Sequence, residues 1–177
     1  MTGLCIDIPV LETNRLVLRG PQPDDFAAFA AYYASDRSVG TGGPLPRAAA
    51  WRNFSMALGH WFMRGYGMWT VIDRQSGEQA GRVGLWNPEG WIEAELGWWL
   101  YDGFEGRGIA YEAAVTVRNH AYQTLGWGPL ISVIAPENDR SIRLAERLGA
   151  TLERDDWVTP SGVRTVIYRH PALEVAA

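Results

Sequence analysis

The sequence predicts a mixed α/β fold in which a meander of antiparallel strands is flanked by helices. Three patterns indicate this class. A strand, a glycine-rich loop and a long helical pattern follow one another in 95–126. Three strand-like segments joined by turns fill 68–100. Apolar residues at helical spacing come before that meander, in 26–33 and 47–64.

The first third of the chain is predicted to hold one strand and two helices. Apolar and polar residues alternate from Arg15 onward, which predicts a strand within 11–19. The acidic pair at 24–25 marks the start of the first helix. A loop rich in glycine and proline, at 40–46, separates it from the second helix over 47–64. The apolar face of this second helix is predicted to contain Trp51, Phe54, Leu58, Trp61 and Phe62.

The middle of the chain predicts three strands in antiparallel order. They cover 68–73, 79–86 and 91–100. Turn residues fill both gaps, which is typical of hairpins. The third strand therefore leads directly into the glycine-rich loop.

The last third predicts one strand, one helix and a hairpin. The strand covers 130–135, and the helix after it is capped by Asn138 and ended by Gly149. The hairpin consists of 151–158 and 163–169, with a turn between them.

The glycine-rich loop has the chemistry of an anion site. Gly106 and Gly108 leave the backbone uncovered where the first N–H groups of the following helix have no partner inside the helix. These N–H groups and the positive end of the helix dipole favour a pyrophosphate, and a tight turn without a ligand is the alternative. The order Gly-x-x-Gly-x-Gly from Gly103 excludes the dinucleotide fingerprint, and the lack of Gly-Lys-Ser or Gly-Lys-Thr excludes a P-loop.

The composition fits one compact domain of 177 residues, of which 47% are hydrophobic. No repeat or long linker divides the chain, and we expect a single domain over 11–171 preceded by an extension at 1–10. A net charge of −4 argues against nucleic-acid and membrane-surface binding. No apolar run reaches membrane length, and no signal peptide is expected because Asp7 and Pro9 interrupt the one candidate.

Cysteine, histidine and serine usage points away from several kinds of site. The single cysteine, Cys5, cannot form an internal disulfide, and no Cys or His cluster has metal-ligand spacing. We therefore expect no metal and a reducing, cytoplasmic location. No serine stands in Gly-x-Ser-x-Gly, and His60, His120 and His170 are interpreted as structural.

Three segments resemble the GCN5-related N-acetyltransferases (GNAT). Glu105-Gly106-Arg107-Gly108-Ile109-Ala110 is similar to their acyl-CoA loop, although the family opens that loop with Gln or Arg where this chain has Glu105. The opening Leu-x-Thr-x-Arg-Leu-x-Leu-Arg at 11–19 resembles the RimJ/RimL-like branch. The segment from Asn138 resembles the family's second CoA segment, Asn-x-x-Ser followed by a helix that ends in Gly. The resemblance spans about 11–170.

The resemblance implies the GNAT fold, in which a central, mostly antiparallel twisted sheet is flanked by helices and splays into a V between its fourth and fifth strands. Acetyl-CoA, the co-substrate, lies in that V. Its contacts are expected from the strand before the loop, from the loop and from the second CoA segment, namely Trp98, Trp99, Leu100, Glu105, Gly106, Arg107, Gly108, Ile109, Ala110, Asn138 and Ser141.

The resemblance also implies direct transfer of acetyl to a primary amine in a ternary complex. Glu95 is the candidate for amine binding or proton acceptance. Glu93, two residues earlier, is predicted to share its face and is interpreted as structural or solvated. Many relatives protonate the leaving thiolate with a tyrosine at the position of Ala145, and here Ser141 is the expected replacement, with solvent as the alternative.

The acceptor and three alternative functions stay open from sequence, and the first alternative is the same enzyme with a different acyl-CoA. Relatives acetylate protein N-termini, small amines, antibiotics or amino acids, and family habit favours a homodimer. Glu105 and the missing tyrosine at Ala145 favour a degenerate domain that binds CoA or a partner without catalysis. An unrelated α+β protein with a simple glycine turn is the third interpretation.

Overall fold

The computed structural model describes residues 6–172 of the chain. Cys5 lies outside the described residues. The elements, in chain order, are β1 (Leu11–Glu12), β2 (Leu16–Arg19), α1 (Phe26–Tyr33), α2 (Arg47–Arg64), β3 (Met68–Asp73), β4 (Gln79–Trp86), β5 (Glu95–Leu100), α3 (Ile109–Asn119), β6 (Ile131–Ile134), α4 (Asp139–Arg147), β7 (Thr151–Val158) and β8 (Arg164–Arg169).

One sheet of eight strands has the order β1-β2-β3-β4-β5-β6-β8-β7. Neighbouring strands are antiparallel except β5 and β6, which are parallel and pair only at Glu95 and Ile131. Beyond this point the two strands part and leave a V. The predicted mixed α/β class, with a mostly antiparallel sheet and helices on its faces, is confirmed.

A side-chain contact holds the base of the V together. The Ser132 hydroxyl on β6 donates to the carbonyl of Leu96 on β5 at 2.7 Å. Nε2 of His170, the residue after β8, lies 3.0 Å from the same hydroxyl oxygen. Because the hydroxyl proton is already used, His170 donates from Nε2. Side chains thus replace main-chain pairing where the strands begin to separate, and His170 takes part in this contact.

Strand β5 is shorter than the 91–100 predicted for it. The backbone N–H of Trp91 donates to the carbonyl of Pro88 at 3.0 Å, so a turn still occupies the start of the predicted strand. Pairing with β4 begins only at Glu95, which is opposite Trp86. The two-residue alternation of the strand therefore does not extend back to Glu93. The prediction that Glu93 and Glu95 share a face is wrong.

The bounds of α2 are as predicted, but the assignment of two residues to its apolar face is wrong. Trp51 and Phe62 are 52% and 53% exposed. The buried stripe is instead Ala50, Phe54, Ala57, His60 and Trp61. Three and four residues separate most of its members, so it is a narrow face against the sheet, and Trp51 and Phe62 lie at its margins.

Helix α3 places the glycine-rich loop at the end of the sheet. Its buried face is mostly small, with Ala113, Ala114 and Val117 fully buried, so its axis can lie close to the strands beneath. The helical path continues through a π turn at His120–Thr124 and stops at Gly126, whose φ is +70°. The N-terminus of α3 is thereby fixed beside the end of β5.

The segment before β1 packs on the same core. Ile6 and Ile8 are partly buried against it, and the Trp69 indole donates to the carbonyl of Pro9 at 2.7 Å. Among residues 6–172, no helix combines the length and the apolar character needed to cross a membrane.

Candidate active site

The V between β5 and β6 opens into a cleft of about 580 Å³. Residues of β5, β6 and the start of α4 form its walls. Side chains of α1 and α2, the segment 39–42 and the turn between β7 and β8 close one end of it. Five of the residues predicted for the site line this cleft, namely Glu95, Trp98, Trp99, Asn138 and Ser141.

Glu95 is a buried carboxyl at the base of the V. It is 9% exposed, and Trp91 donates to Oε2 from its indole Nε1 at 2.9 Å. The backbone N–H of Val133 lies 3.4 Å from Oε1. Burial raises the pKa of Glu95 to about 8, against the smaller lowering effect of these two donors. The side chain is therefore mostly neutral at pH 7 and becomes a proton acceptor as the pH approaches 8.

Glu93 has a different environment. Arg169 donates to both of its oxygens, at 2.7 and 2.8 Å, and also pairs with Glu153. These hydrogen bonds hold the pKa of Glu93 below its ordinary value. Glu93 therefore ties the segment before β5 to the final hairpin and stays ionised at neutral pH.

On the opposite side of the V, α4 begins with a cap and a hydroxyl. Asn138 Oδ1 accepts from the backbone N–H of Ser141 at 3.2 Å, the capping expected from sequence. The Ser141 hydroxyl accepts from Nε1 of Trp98 at 3.3 Å. Its own proton remains free to be donated into the cleft. Ala145, one turn further along α4, is fully buried in a small cluster with Ile134.

The two adjacent tryptophans of β5 point to different neighbours, as strand geometry requires. Trp98 contacts α4 through Ser141. Trp99 stacks on Tyr32 of α1, with ring centroids 5.9 Å apart and planes at 17°. Leu100 does not line the cleft, and its carbonyl accepts from Arg37 at 3.0 Å.

The loop after β5 keeps its glycines in the left-handed region. Gly103, Gly106 and Gly108 have φ of +83°, +72° and +76°. An added Cβ would meet no atom within 4 Å at Gly106, and at Gly108 only Nη2 of Arg15, at 3.6 Å. The loop surface beside the first turn of α3 is therefore uncovered, and the N–H groups of this turn have no partner within the helix. Ile109 itself is buried, so only its backbone is available there.

Arg37 neutralises the residue that departs from the family pattern. It lies in a 3₁₀ helix, Asp36–Thr41, and forms an ion pair with Glu105. The same guanidinium also reaches Asp102 at 3.1 Å. The carboxylate of Glu105 is thus held against a cation instead of facing the helix N-terminus uncompensated. Sequence gave no sign of this pairing, since the partners are distant in the chain.

Two further arginines brace the loop. Arg107 donates to Asp73 on β3 at 2.8 Å, so its side chain is directed toward the sheet. Arg15 pairs with Glu112 of α3 and donates to the carbonyl of Arg107 at 3.1 Å. The loop is therefore held between the turn that precedes β2, strand β3 and helix α3, and only the backbone of Arg107 is available to an anion.

The segment 39–42 is a wall of the cleft that sequence reasoning assigned only to a loop. It comprises the end of the 3₁₀ helix and its C-cap, Gly42, and it reaches the start of α4, where an added Cβ at Gly40 would lie 3.4 Å from Nδ2 of Asn138. The hydroxyls of Tyr32 and Tyr33 contact Thr41 and hold the segment against α1. A glycine cluster of this kind indicates a loop but not its position in the fold.

No group of three or more His, Cys, Asp or Glu side chains suited to a metal ion occurs in the part of the chain that the structure describes. His60, also interpreted as structural, is buried between α2 and β4. It lies 2.8 Å from the Tyr66 carbonyl and accepts from the backbone N–H of Asn87.

A splayed parallel pair in an antiparallel sheet, with a glycine loop at a helix N-terminus beside the V, defines an N-acyltransferase-type domain. The acetyltransferase (GNAT) domain family matches residues 15–151. The chain belongs to this family, whose members are acyltransferases that use acetyl-CoA.

Solved structures agree. An acetyltransferase from Agrobacterium tumefaciens is 38% identical and superimposes with a TM-score of 0.84, covering 96% of this chain and 98% of that one. RimL, a ribosomal L7/L12 α-N-protein acetyltransferase solved with coenzyme A, is 18% identical with a TM-score of 0.75, over 93% of this chain and 98% of that one. At this identity the likeness to RimL concerns the fold alone.

Among curated proteins, the uncharacterized protein YkkB of Bacillus subtilis is 31% identical over 90 residues. This match covers 49% of this chain and 52% of YkkB, so it spans about half the length of that relative.

Proposed function

We propose that the protein transfers acetyl from acetyl-CoA directly to a primary amine within a ternary complex. The observation that carries the proposal is the position of Glu95 and Ser141 on opposite sides of one cleft. A proton acceptor and a proton donor thus face the space in which the thioester and the amine would meet.

The acetyl-CoA contacts are proposed for three parts of the site. The pyrophosphate is placed on the loop backbone from Glu105 to Ala110, where N–H groups are uncovered. The pantetheine arm runs along the backbone of β5 at Trp98, Trp99 and Leu100, beyond the point where β6 pairs with it. Asn138 and Ser141 contact the arm from the other side.

The residues supply two proton transfers. The amine nitrogen attacks the thioester carbonyl carbon, the C–S bond breaks, and the amine loses one proton while the thiolate gains one. Glu95 takes the amine proton, and its pKa of about 8 is close to that of an α-amine, about 8, so little free energy separates the two sites. Ser141 relays a proton to the leaving thiolate and regains one from water, so that no alkoxide remains on the serine.

The acceptor is either a protein N-terminal α-amine or the amine of a small molecule. A RimJ/RimL-like relationship is proposed from the motif at 11–19 and is consistent with the fold shared with RimL. The acceptor L7/L12 is that of RimL and is not assigned to this chain. A homodimer is the proposed assembly, supported by the exposed Trp51, Phe62 and Met63 on α2, and light scattering behind size exclusion tests it.

The competing proposal is a domain that binds CoA or a partner without catalysis. Two departures from the family pattern favour it, the carboxylate at Glu105 and the missing tyrosine at Ala145. The ion pair of Glu105 with Arg37 weakens the first of these arguments. Titration calorimetry with acetyl-CoA, free CoA and ATP tests the cofactor site first. Thiol release across a panel of amines then separates the two proposals, because binding without turnover of any amine supports only the second.

A further inference from the structure

Arg82 is a buried cation with unused hydrogen-bond donors. It lies on β4 and has no exposed surface. Nη2 donates to the carbonyl of Met68 at 3.0 Å, whereas Nε and Nη1 have no hydrogen-bond partner within residues 6–172. An arginine stays protonated inside a protein, so a full positive charge is held here without a contacting carboxylate.

Asp25, the carboxylate that could serve as a counter-ion for Arg82, already pairs with another arginine. Asp25 accepts two hydrogen bonds from Arg19, at 2.8 Å each, and further ones from the Gln22 backbone and from Thr70. Asp25 therefore compensates Arg19. Two guanidinium groups and one carboxylate leave a net positive charge in this part of the interior.

Other unused donors belong to the same cluster. Within the described residues, the indole N–H of Trp99 and the hydroxyl of Tyr101 are buried without partners. The Arg82 guanidinium carbon lies 6.0 Å from the Trp99 ring centroid. Tyr32 links the two unused donors, because its ring centroid lies 5.9 Å from that of Trp99 and 6.0 Å from that of Tyr101. The cluster can donate hydrogen bonds and has few hydrogen-bond acceptors of its own.

This cluster lies beneath the end of the cleft that α1 and α2 close, which is where we place the acceptor. The guanidinium of Arg82 lies 5.5 Å from the ring centroid of Phe29 and bonds the backbone of Met68. Phe29, Met68 and Trp99 all line the cleft. One layer of side chains therefore separates the charge from the cleft, and an apolar layer screens a charge little.

The cleft lining adds little charge of either sign. Its charged residues, among those the structure describes, are Glu89 and Glu95. Glu89 is fully exposed at the rim and pairs with Arg64. Glu95 is mostly protonated at pH 7, because burial raises its pKa to about 8. While Glu95 is protonated, the net charge that remains beneath this end of the cleft is that of Arg82.

We propose that the acceptor is an amine that carries a carboxylate and an apolar body, such as an α-amino acid with an apolar side chain, and that Arg82 selects it. This inference rests on the proposed acetyl transfer. The carboxylate is drawn toward the face of the cleft above Arg82 by the uncompensated charge. The apolar body packs among the aromatic residues of the lining, and the amine points toward Glu95. A second positive charge on the acceptor is disfavoured by the same field.

The test compares matched acceptors in a thiol-release assay with acetyl-CoA. L-Phenylalanine, L-phenylalaninamide, 2-phenylethylamine and spermidine share an amine and differ in charge. We expect the wild type to prefer phenylalanine over its amide by about ten-fold or more in kcat/KM, expressed per neutral amine, and to use spermidine poorly.

Arg82→Met keeps the volume and removes the charge, and it should bring the acid-to-amide ratio close to one while leaving acetyl-CoA affinity, measured by calorimetry, unchanged. Arg82→Lys should keep most of the ratio. Arg52→Gln removes an exposed arginine from α2 and is the matched control that should leave the ratio at the wild-type value. A variant that stays at the wild-type ratio after loss of the Arg82 charge overturns the inference.

The wild type alone also decides the matter if the Arg82 variants do not fold. Equal use of phenylalanine and its amide, or a preference for spermidine, overturns the acceptor class and leaves acetyl transfer standing. Absence of turnover with every amine, despite binding of acetyl-CoA, overturns the proposed function together with the acceptor class.

Discussion

The indole Nε1 of Trp91 donates a hydrogen bond to Oε2 of Glu95 at 2.9 Å, from the turn that comes before β5. This contact fixes the orientation of a carboxyl whose charged form is otherwise disfavoured by burial. Trp91 also packs edge-on against Trp157 of β7, with ring centroids 5.0 Å apart. The final hairpin therefore supports the side chain that holds the proposed base.

Activity should follow the ionisation of Glu95. Since burial raises the pKa of Glu95 to about 8, kcat/KM expressed per neutral amine should rise with pH and level off above about 8. Glu95→Gln should lower kcat by about 10²-fold or more and flatten the profile, while the calorimetric affinity for acetyl-CoA stays close to that of the wild type. A parallel loss of kcat and acetyl-CoA affinity would move Glu95 to a structural role.

Removing the Trp91 donor should shift that profile. The indole hydrogen bond favours the ionised form of Glu95, so Trp91→Phe should raise the pKa of Glu95 further and move the rise in kcat/KM to higher pH. Trp127→Phe, which removes a tryptophan that packs on Tyr66, is the control. An unchanged midpoint in Trp91→Phe would show that this hydrogen bond does not tune Glu95.

Stability should also depend on Glu95, with a definite sign. The folded-state pKa lies above the ordinary value, so the folded protein holds an extra proton between about pH 4.5 and 8. The part of the free energy of unfolding that depends on Glu95 is largest below the unfolded-state pKa. It falls as the pH rises through the folded-state pKa, by an amount on the order of 5 kcal/mol. Glu95→Gln should therefore raise Tm relative to wild type at pH 9 and change it little at pH 4.

Glu93→Gln provides the control of opposite sign for this measurement. The hydrogen bonds from Arg169 hold the pKa of Glu93 below its ordinary value, so its contribution is present above the unfolded pKa and lost as pH falls. This variant should be less stable than wild type at pH 7 by thermal melting, and the difference should shrink toward pH 3. Equal behaviour of the two variants across pH would contradict the assignment of both carboxylates.

Arg37 should matter for CoA affinity through Glu105. In Arg37→Ala the carboxylate of Glu105 loses its cation beside the loop, and repulsion of the pyrophosphate should weaken acetyl-CoA binding by about five- to ten-fold. The double variant Arg37→Ala with Glu105→Gln should recover most of the affinity. If the double variant binds no better than Arg37→Ala, the effect comes from the lost contacts of Arg37 with Leu100 and Asp102, not from charge.

Sequence predicted the elements well because their signals are local. The bounds of α2, β3, β4 and β7 follow from periodicity and turn residues a few positions apart. The Asn138 cap and the left-handed conformation of Gly149 are likewise determined by residues close by in the sequence. By contrast, the pairs Arg37 with Glu105 and Trp91 with Glu95 depend on how the chain packs. The burial of Arg82 likewise follows from packing on α1 and α2, because a strand position with an arginine ordinarily indicates an exposed face.

The glycine loop supplies the last prediction, and the structure provides its control. Gly103 and Gly108 have nearly equal φ, +83° and +76°, and neither has a neighbouring backbone atom within 4 Å of an added Cβ. A leucine at either position therefore carries a similar backbone strain, of about 1–2 kcal/mol. Only at Gly108, the residue that directly precedes α3, does the new side chain cover the N–H groups of the first turn. Gly108→Leu should abolish acetyl-CoA binding in calorimetry, whereas Gly103→Leu should lower Tm by a comparable amount and still bind. Loss of binding in both variants would mean that loop strain alone disrupts the site, and retention in both would place the pyrophosphate elsewhere.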